Sequence, residues 1–186
     1  MPKVIDDKVV YRAAIELLVA FGYTSTTTQQ IADAAGIHEA TLFRKYGSKA
    51  NLVEQAVQSE FSDVPFAKLG YTGNLEADLR SIVEAYLETS EMVGDILPIL
   101  LIEIPRNPEL QKSLVTPWEN IQRVSHILER YQSQGKLKPE PVLNSISALL
   151  GPLMVQHLLK RPEINLPIPE VEPRDYVDLF LHGRLV

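Results

Sequence analysis

The chain has 186 residues, 45% of them apolar and 23% charged, with a formal net charge of −6 and no cysteine. That mixture suits one substantial domain or two small ones sharing a core and excludes a disordered or collagen-like chain; without thiols, disulfide staples, thiolate zinc sites, iron–sulfur clusters and cysteine nucleophiles are excluded too. The longest uncharged apolar run, residues 96–102, is broken by Pro98 and far short of the ~20 residues of a bilayer span, and residues 1–7 lack a secretory signal's basic start and apolar stretch, so no membrane association and a cytoplasmic location are expected.

Val10, Ala13, Ala14, Leu17, Leu18 and Phe21 recur at the spacing of an amphipathic helix, which Asp6 or Asp7 can cap and Gly22 can end. The hydroxyl cluster Thr24-Ser25-Thr26-Thr27-Thr28 suits the start of a second helix, Gln29-Gln30-Ile31-Ala32-Asp33-Ala34, although alone it also reads as an ordinary capped loop. Ala35-Gly36-Ile37 interrupts that helix. The helical pattern resumes from His38 to Tyr46, with Leu42 and Tyr46 on one face, and breaks at Gly47. Ser48 can cap a fourth helix through Leu52, Val53, Ala56, Val57 and Phe61.

Residues 63–73, with Pro65, Gly70 and Gly73, read as a connection. Asn74 can cap a helix from Leu75 to about Glu91, and a short apolar helix covers residues 95–104 with Pro98 in its first turn. Thr116-Pro117-Trp118-Glu119 has the form of a capping box with proline at the first helical position, opening a helix that ends at Gly135. Residues 141–160 form a helical stretch, kinked or split at Gly151-Pro152, and the last helix runs from Pro173 to about Gly183. No alternating run bounded by turn signals suggests a strand, so the expected fold is all-α with about nine helices.

Two short helices joined by three residues with a glycine in the turn describe a helix-turn-helix, whose second helix enters the major groove of DNA. Ala32 lets the helices cross closely, Gly36 permits a left-handed turn, and Ile31, Ile37 and Leu42 bury the crossing. Arg44, Lys45 and Lys49 are then expected on the solvent side, a small basic patch within residues 1–50, which carry +1 while residues 51–186 carry −7. Such a charge run also reads as a plain solvated face; its place on the second helix favours DNA. His38-Glu39 lacks a second histidine four residues on, since Leu42 stands there, so a zinc-protease reading fails. No metal or cofactor is expected, and no nucleophile motif or phosphate loop supports an enzyme.

Phe21-Gly22-Tyr23, Thr26-Thr27-Thr28, Ile31-Ala32, Ala35-Gly36-Ile37, Ala40-Thr41-Leu42-Phe43-Arg44-Lys45-Tyr46 and Ser48-Lys49 together resemble the N-terminal signature of TetR-family (tetracycline-repressor-type) transcriptional regulators. The resemblance covers about residues 8–55 without gaps. It implies an all-helical homodimer with a three-helix DNA-binding head, residues 1–47, and a larger ligand-binding and dimerising body, residues 48–186. It also implies that Thr27 and Thr28 donate to phosphate and that Glu39, Ala40, Thr41 and Arg44 face bases, with Arg44 suited to guanine, Glu39 to cytosine N4 and Ala40 to a thymine methyl. Glu39 reads equally as a solvent-facing partner of the helix dipole. Phe43, Lys45 and Lys49 fall where the family touches the sugar–phosphate backbone. Phe43 stands where tyrosine is common and Ala40 where glycine or proline is, so a phenolic bond to phosphate is lost.

In the body, Tyr86, Leu100, Glu103, Trp118 and His126 are candidates for the lining of a small-molecule pocket, although apolar and aromatic residues at helical spacing read as plain core as well. Residues 142–159 carry more apolar surface than one core contact requires. Leu143, Ile146, Leu150, Leu153 and Leu158, with Tyr176, Leu179 and Phe180 of the last helix, are the expected two-fold dimer interface. The expected function is a ligand-responsive repressor binding a near-palindromic operator as a dimer and released by a small-molecule effector. The alternative is a DNA-binding protein without a ligand, whose body serves only dimerisation or protein contacts.

Overall fold

The computed structural model describes residues 6–160 and 164–182. Among them the chain forms nine α-helices and no strand: α1 Asp7–Ser25, α2 Thr28–Ala34, α3 Glu39–Tyr46, α4 Lys49–Phe61, α5 Leu75–Val93, α6 Ile96–Glu103, α7 Val115–Ser133, α8 Val142–Leu159 and α9 Pro173–His182. Two 3-10 segments, Pro65–Lys68 and Pro108–Leu114, lie between helices, the first within residues 63–73, which read as a connection in the sequence. The expected stop at Gly183 lies outside the described residues.

The chain divides into two compact units, Met1–Asp63 with Val93–Trp118, and Val64–Met92 with Glu119–Val186. In the first, Val10, Ala13 and Ala14 of α1 meet Ile31 and Ala32 of α2, Leu42 and Tyr46 of α3 and Leu52 of α4 in one buried cluster. Short helices are marginal alone, so this shared core is what keeps α2 and α3 folded. Side-chain caps fix the starts of α1, α4 and α2: Asp6 accepts from the Lys8 amide at 3.0 Å, Ser48 from the Asn51 amide at 3.1 Å, and Thr27 and Gln30 form a reciprocal capping box.

In the second unit, Asp78 of α5 is 2% exposed and gathers the hydroxyls of Tyr131 and Thr72, each at 2.5 Å, and the Thr72 amide at 2.9 Å. Burial pushes its carboxyl up, but these hydrogen bonds and the Gly73 amide outweigh that and hold it below the usual carboxylate range. Tyr71 stacks on Tyr131 at 4.9 Å and lies under the Arg130 guanidinium at 4.0 Å, pinning the segment before α5 to the end of α7.

Three expected boundaries shift. The start of α7 is Val115, so Thr116 lies inside the helix; the Val115 amide donates to the Lys112 carbonyl of the preceding 3-10 segment, which delivers the chain already wound. Gly22 does not end α1 but breaks it, with φ +76° and ψ 170°, and helical geometry resumes through Ser25. Gly151-Pro152 does not split α8: Pro152 sits inside the helix on its exposed side, where it has no N–H to donate. Among the described helices, α8 alone is long and apolar enough to cross a membrane by length and composition, having no Asp, Glu, Lys or Arg in 18 residues.

Candidate nucleic-acid interface

The turn between α2 and α3 is built by backbone bonding. The Ile37 amide donates to the Ala32 carbonyl at 3.0 Å and the Gly36 amide to the Asp33 carbonyl at 3.1 Å, the paired closure of a helix end whose next residue is left-handed. Gly36 takes φ +66°, and a Cβ there would meet nothing within 4 Å, so its glycine is required by backbone conformation and not by crowding. The turn redirects the chain into α3, where fully buried Leu42 and Tyr46 face the core and leave Ala40, Phe43, Arg44 and Lys45 exposed, with Glu39 and Thr41 half-buried beside them. Phe43, 46% exposed, is a large apolar side chain presented to solvent on a polar surface.

Each basic residue has a different electrostatic setting. Among the described residues Arg44 makes no hydrogen bond or ion pair and extends into solvent. Lys45 pairs with Asp7 at the start of α1, and the Tyr46 hydroxyl donates to the same carboxylate. Lys45 and then Tyr46 hold the Asp7 carboxyl below its ordinary value, while burial, helped by Asp7, raises the Tyr46 phenol. Lys49 departs from the expected solvent-side position. Its ammonium turns inward and donates to the carbonyls of Tyr23 and Thr26, both at 2.7 Å, because the C-terminal end of α1 offers carbonyls without helical partners.

Thr27 is exposed but its hydroxyl is engaged with Gln30 in the capping box; Thr28 donates to Glu39 Oε1 at 2.6 Å. That bond ties the start of α2 to the first turn of α3 and gives Glu39 a partner that sequence spacing does not reveal. The interface therefore brings Glu39, Ala40, Thr41, Phe43, Arg44 and Lys45 onto one helix, with Thr28 joined to it and Lys49 withdrawn.

The residues expected to line a pocket fall in both units. Leu100 is fully buried in the first unit, and Trp118, 56% exposed, is a surface residue there. Glu103 binds the Asn107 amide nitrogen through Oε2 at 2.9 Å. In the second unit Tyr86 packs edge-on against Phe66 at 6.3 Å, and burial pushes its phenol up to about 12, whereas His126 is exposed beside Glu129. Within that unit a cleft of about 470 Å3 runs between α5 and α9, lined by Glu76, Arg80, Arg174, Asp175 and Asp178 with Val177 and Leu181; it contains none of those five residues. It is polar, and only Val177 and Leu181 give it the periodic apolar signal by which a pocket can be read from sequence.

The expected dimer residues divide by side. Ile146, Leu150, Leu153 and Phe180 are buried within the chain, Leu158 is half-buried, and Tyr176 donates to the Leu149 carbonyl at 2.6 Å. Leu143 and Leu179 are exposed, as is Val155, another apolar residue of the 142–159 stretch.

The description "Bacterial regulatory proteins, tetR family" matches residues 10–56, and "Tetracyclin repressor-like, C-terminal domain" matches residues 71–180. The uncharacterized HTH-type transcriptional regulator YvkB of Bacillus subtilis is 35% identical over 132 residues, 70% of this chain and 62% of that protein, so the chain spans about three-fifths of that relative. Two solved structures share the fold: the TetR-family regulator PfmR of Thermus thermophilus (TM-score 0.71, 23% identity, 93% of this chain and 97% of that one) and the fatty acid degradation regulator FadR of Bacillus halodurans (TM-score 0.73, 17% identity, 95% of each). Matches to both the helix-turn-helix and the helical body, on an all-α chain with an exposed basic α3, show that the protein belongs to the TetR family of helix-turn-helix transcriptional regulators.

Proposed function

We propose that the chain is a cytoplasmic, ligand-responsive repressor that binds a near-palindromic operator as a homodimer and is released by a small molecule. The observation that carries this is α3 itself, a rigidly seated helix with Leu42 and Tyr46 inward and Ala40, Phe43 and Arg44 outward. In the major groove Arg44 would pair with guanine, Ala40 would meet a thymine methyl, and Thr41 and Glu39 would complete the readout once Glu39 gives up its Thr28 bond. Phe43 and Lys45 would lie along the backbone, with Thr27 and Thr28 beside them. The Lys45–Asp7 pair is half-exposed and worth little, so exchanging it for a phosphate costs about 1 kcal/mol or less.

Dimerisation is supported by Leu143, Val155 and Leu179, apolar residues left in water on α8, which has no Asp, Glu, Lys or Arg, and on α9. A second copy of the same face would cover them with two-fold symmetry and present two α3 helices roughly 34–36 Å apart, one turn of duplex. Ligand response is supported by family membership and by the kinship in fold with a fatty acid degradation regulator. An effector acts only through the difference in its affinity for the DNA-competent and incompetent arrangements.

Selection of bound fragments from a random duplex pool tests the reading. The expected result is two inverted half-sites one helical turn apart; enrichment of a single unpaired half-site would sink the dimeric operator. A thermal-shift screen against fatty acids and other amphipathic compounds should then find a stabiliser that also lowers operator affinity. Uniform silence would favour a body that serves dimerisation or protein contacts alone.

A further inference from the structure

The corner between α1 and α2 leaves several backbone carbonyls to be satisfied from outside the helix. Thr26, 3% exposed, turns its hydroxyl to the carbonyls of Leu17 and Gly22, at 3.1 and 2.8 Å. The carbonyls of Tyr23 and Thr26 are taken by the Lys49 ammonium, which also stands 3.9 Å from the centre of the Tyr23 ring. An ammonium has three N–H donors. Two are spent on carbonyls and the ring face covers the side toward Tyr23, where a cation is favoured over water.

A third segment closes the arrangement. The carboxylates of Glu103, at the end of α6, and Glu109, in the Pro108–Leu114 3-10 segment, oppose the loss of charge that burial imposes on Lys49, and Glu109 also faces the Tyr23 hydroxyl. Glu103 is seated on the break in α1: a Cβ at Gly22 would fall 2.5 Å from its Oε1. One cation thus stands among the end of α1, the lead into α2, the start of α4 and the chain after α6.

We propose that Lys49 is a positioning residue for DNA recognition and not a phosphate contact, clamping the α1–α2 corner to the start of α4 and so fixing where α2 and α3 stand. This rests on the DNA-binding reading above. It separates two lysines that sequence places in one patch: Lys45 holds an exchangeable pair at the surface, while Lys49 would have to abandon two carbonyls and a ring to reach DNA.

The experiment measures binding of the full chain to a random-sequence duplex, and to the fragment recovered by selection, over a series of salt concentrations. Lys49→Met keeps the aliphatic stem and removes the donors; it should lower affinity about tenfold while the slope of log affinity against log salt stays that of the unaltered chain. Lys49→Arg should restore most of the loss, and Lys49→Gln, which keeps amide donors without the charge, should fall between the two without changing the slope. A Lys49→Met slope shallower by about 0.9 for each bound head, about 1.8 for a dimer on its operator, the signature of a lost phosphate contact, overturns the proposal. So does the same shallower slope in Lys49→Gln, which keeps the test decisive if Lys49→Met does not fold. If the unaltered chain binds neither duplex, it is the DNA-binding reading that fails.

Discussion

The exposed faces of α3 and α8 obey the same helical geometry and offer opposite chemistry. On α3 two buried anchors four residues apart leave Arg44, Lys45 and Phe43 outside, so the surface is cationic with a single large apolar side chain. On α8, five inward residues, Ser145, Ile146, Leu149, Leu150 and Leu153, leave Leu143 and Val155 outside on a helix with no Asp, Glu, Lys or Arg. The first surface suits a polyanion, the second another apolar face. The carboxylates of the two units differ too: the half-exposed Asp7 at the start of α1 relies on Lys45, the buried Asp78 of α5 on the hydroxyls of Tyr131 and Thr72.

The largest effect expected from this contrast is at Asp78. Asp78→Ala leaves the fully buried Tyr131 hydroxyl without its acceptor and should cost about 3 kcal/mol, read as a lowered midpoint in denaturant. Because the folded carboxyl is held below its unfolded value, its contribution is complete above about pH 4 and is lost as pH falls through the lower folded value. Asp78→Asn should therefore flatten the acid limb of the stability curve. Asp7 is depressed in the same direction, so its contribution fades with acid in the same sense, but its half-exposed partner makes that contribution vanish in high salt where that of Asp78 persists. Equal salt sensitivity at both sites would erase the distinction.

Next in size is Leu179→Glu, at an α9 residue 74% exposed in the chain, which should weaken self-association by about 2 kcal/mol, measured by sedimentation, with little change in intrinsic stability. An unchanged dimer constant would remove α9 from the interface. Arg44→Ala should cost about 1–3 kcal/mol of discrimination at one base pair, seen by competing operator variants; an equal loss on every sequence would make Arg44 a backbone contact. The smallest effect is at Gly36→Ala, where a left-handed conformation without crowding should cost about 1 kcal/mol in chemical denaturation. A neutral result would show that the turn relaxes.

Much of the first unit was legible because its instructions are local. Asp6, Thr27 and Ser48 cap the helices they precede, Gly36 and Gly47 take the positive φ that their turns require, and Leu42 with Tyr46 marks the buried side of α3. The Schellman-type end of α7 at Gly135 was equally readable, with φ +70° and the Lys136 amide closing on Tyr131. The start of α7 misled because Thr116-Pro117-Trp118-Glu119 satisfies a capping pattern that the preceding 3-10 segment makes unnecessary. The candidate pocket residues were drawn from aromatic and polar spacing, which does not show exposure: Trp118 is 56% exposed and His126 lies at the surface beside Glu129.

What the order of residues determined by itself was the all-helical class, the helix-turn-helix and the family, since caps, turn glycines and apolar spacing act over at most a few residues and hold in any context. Where the ends of long side chains go was decided only by tertiary structure. Lys45 and Lys49 are four residues apart and chemically identical. One meets a carboxylate at the surface and the other two carbonyls from a helix more than twenty positions earlier, a choice made by which backbone groups folding leaves without partners.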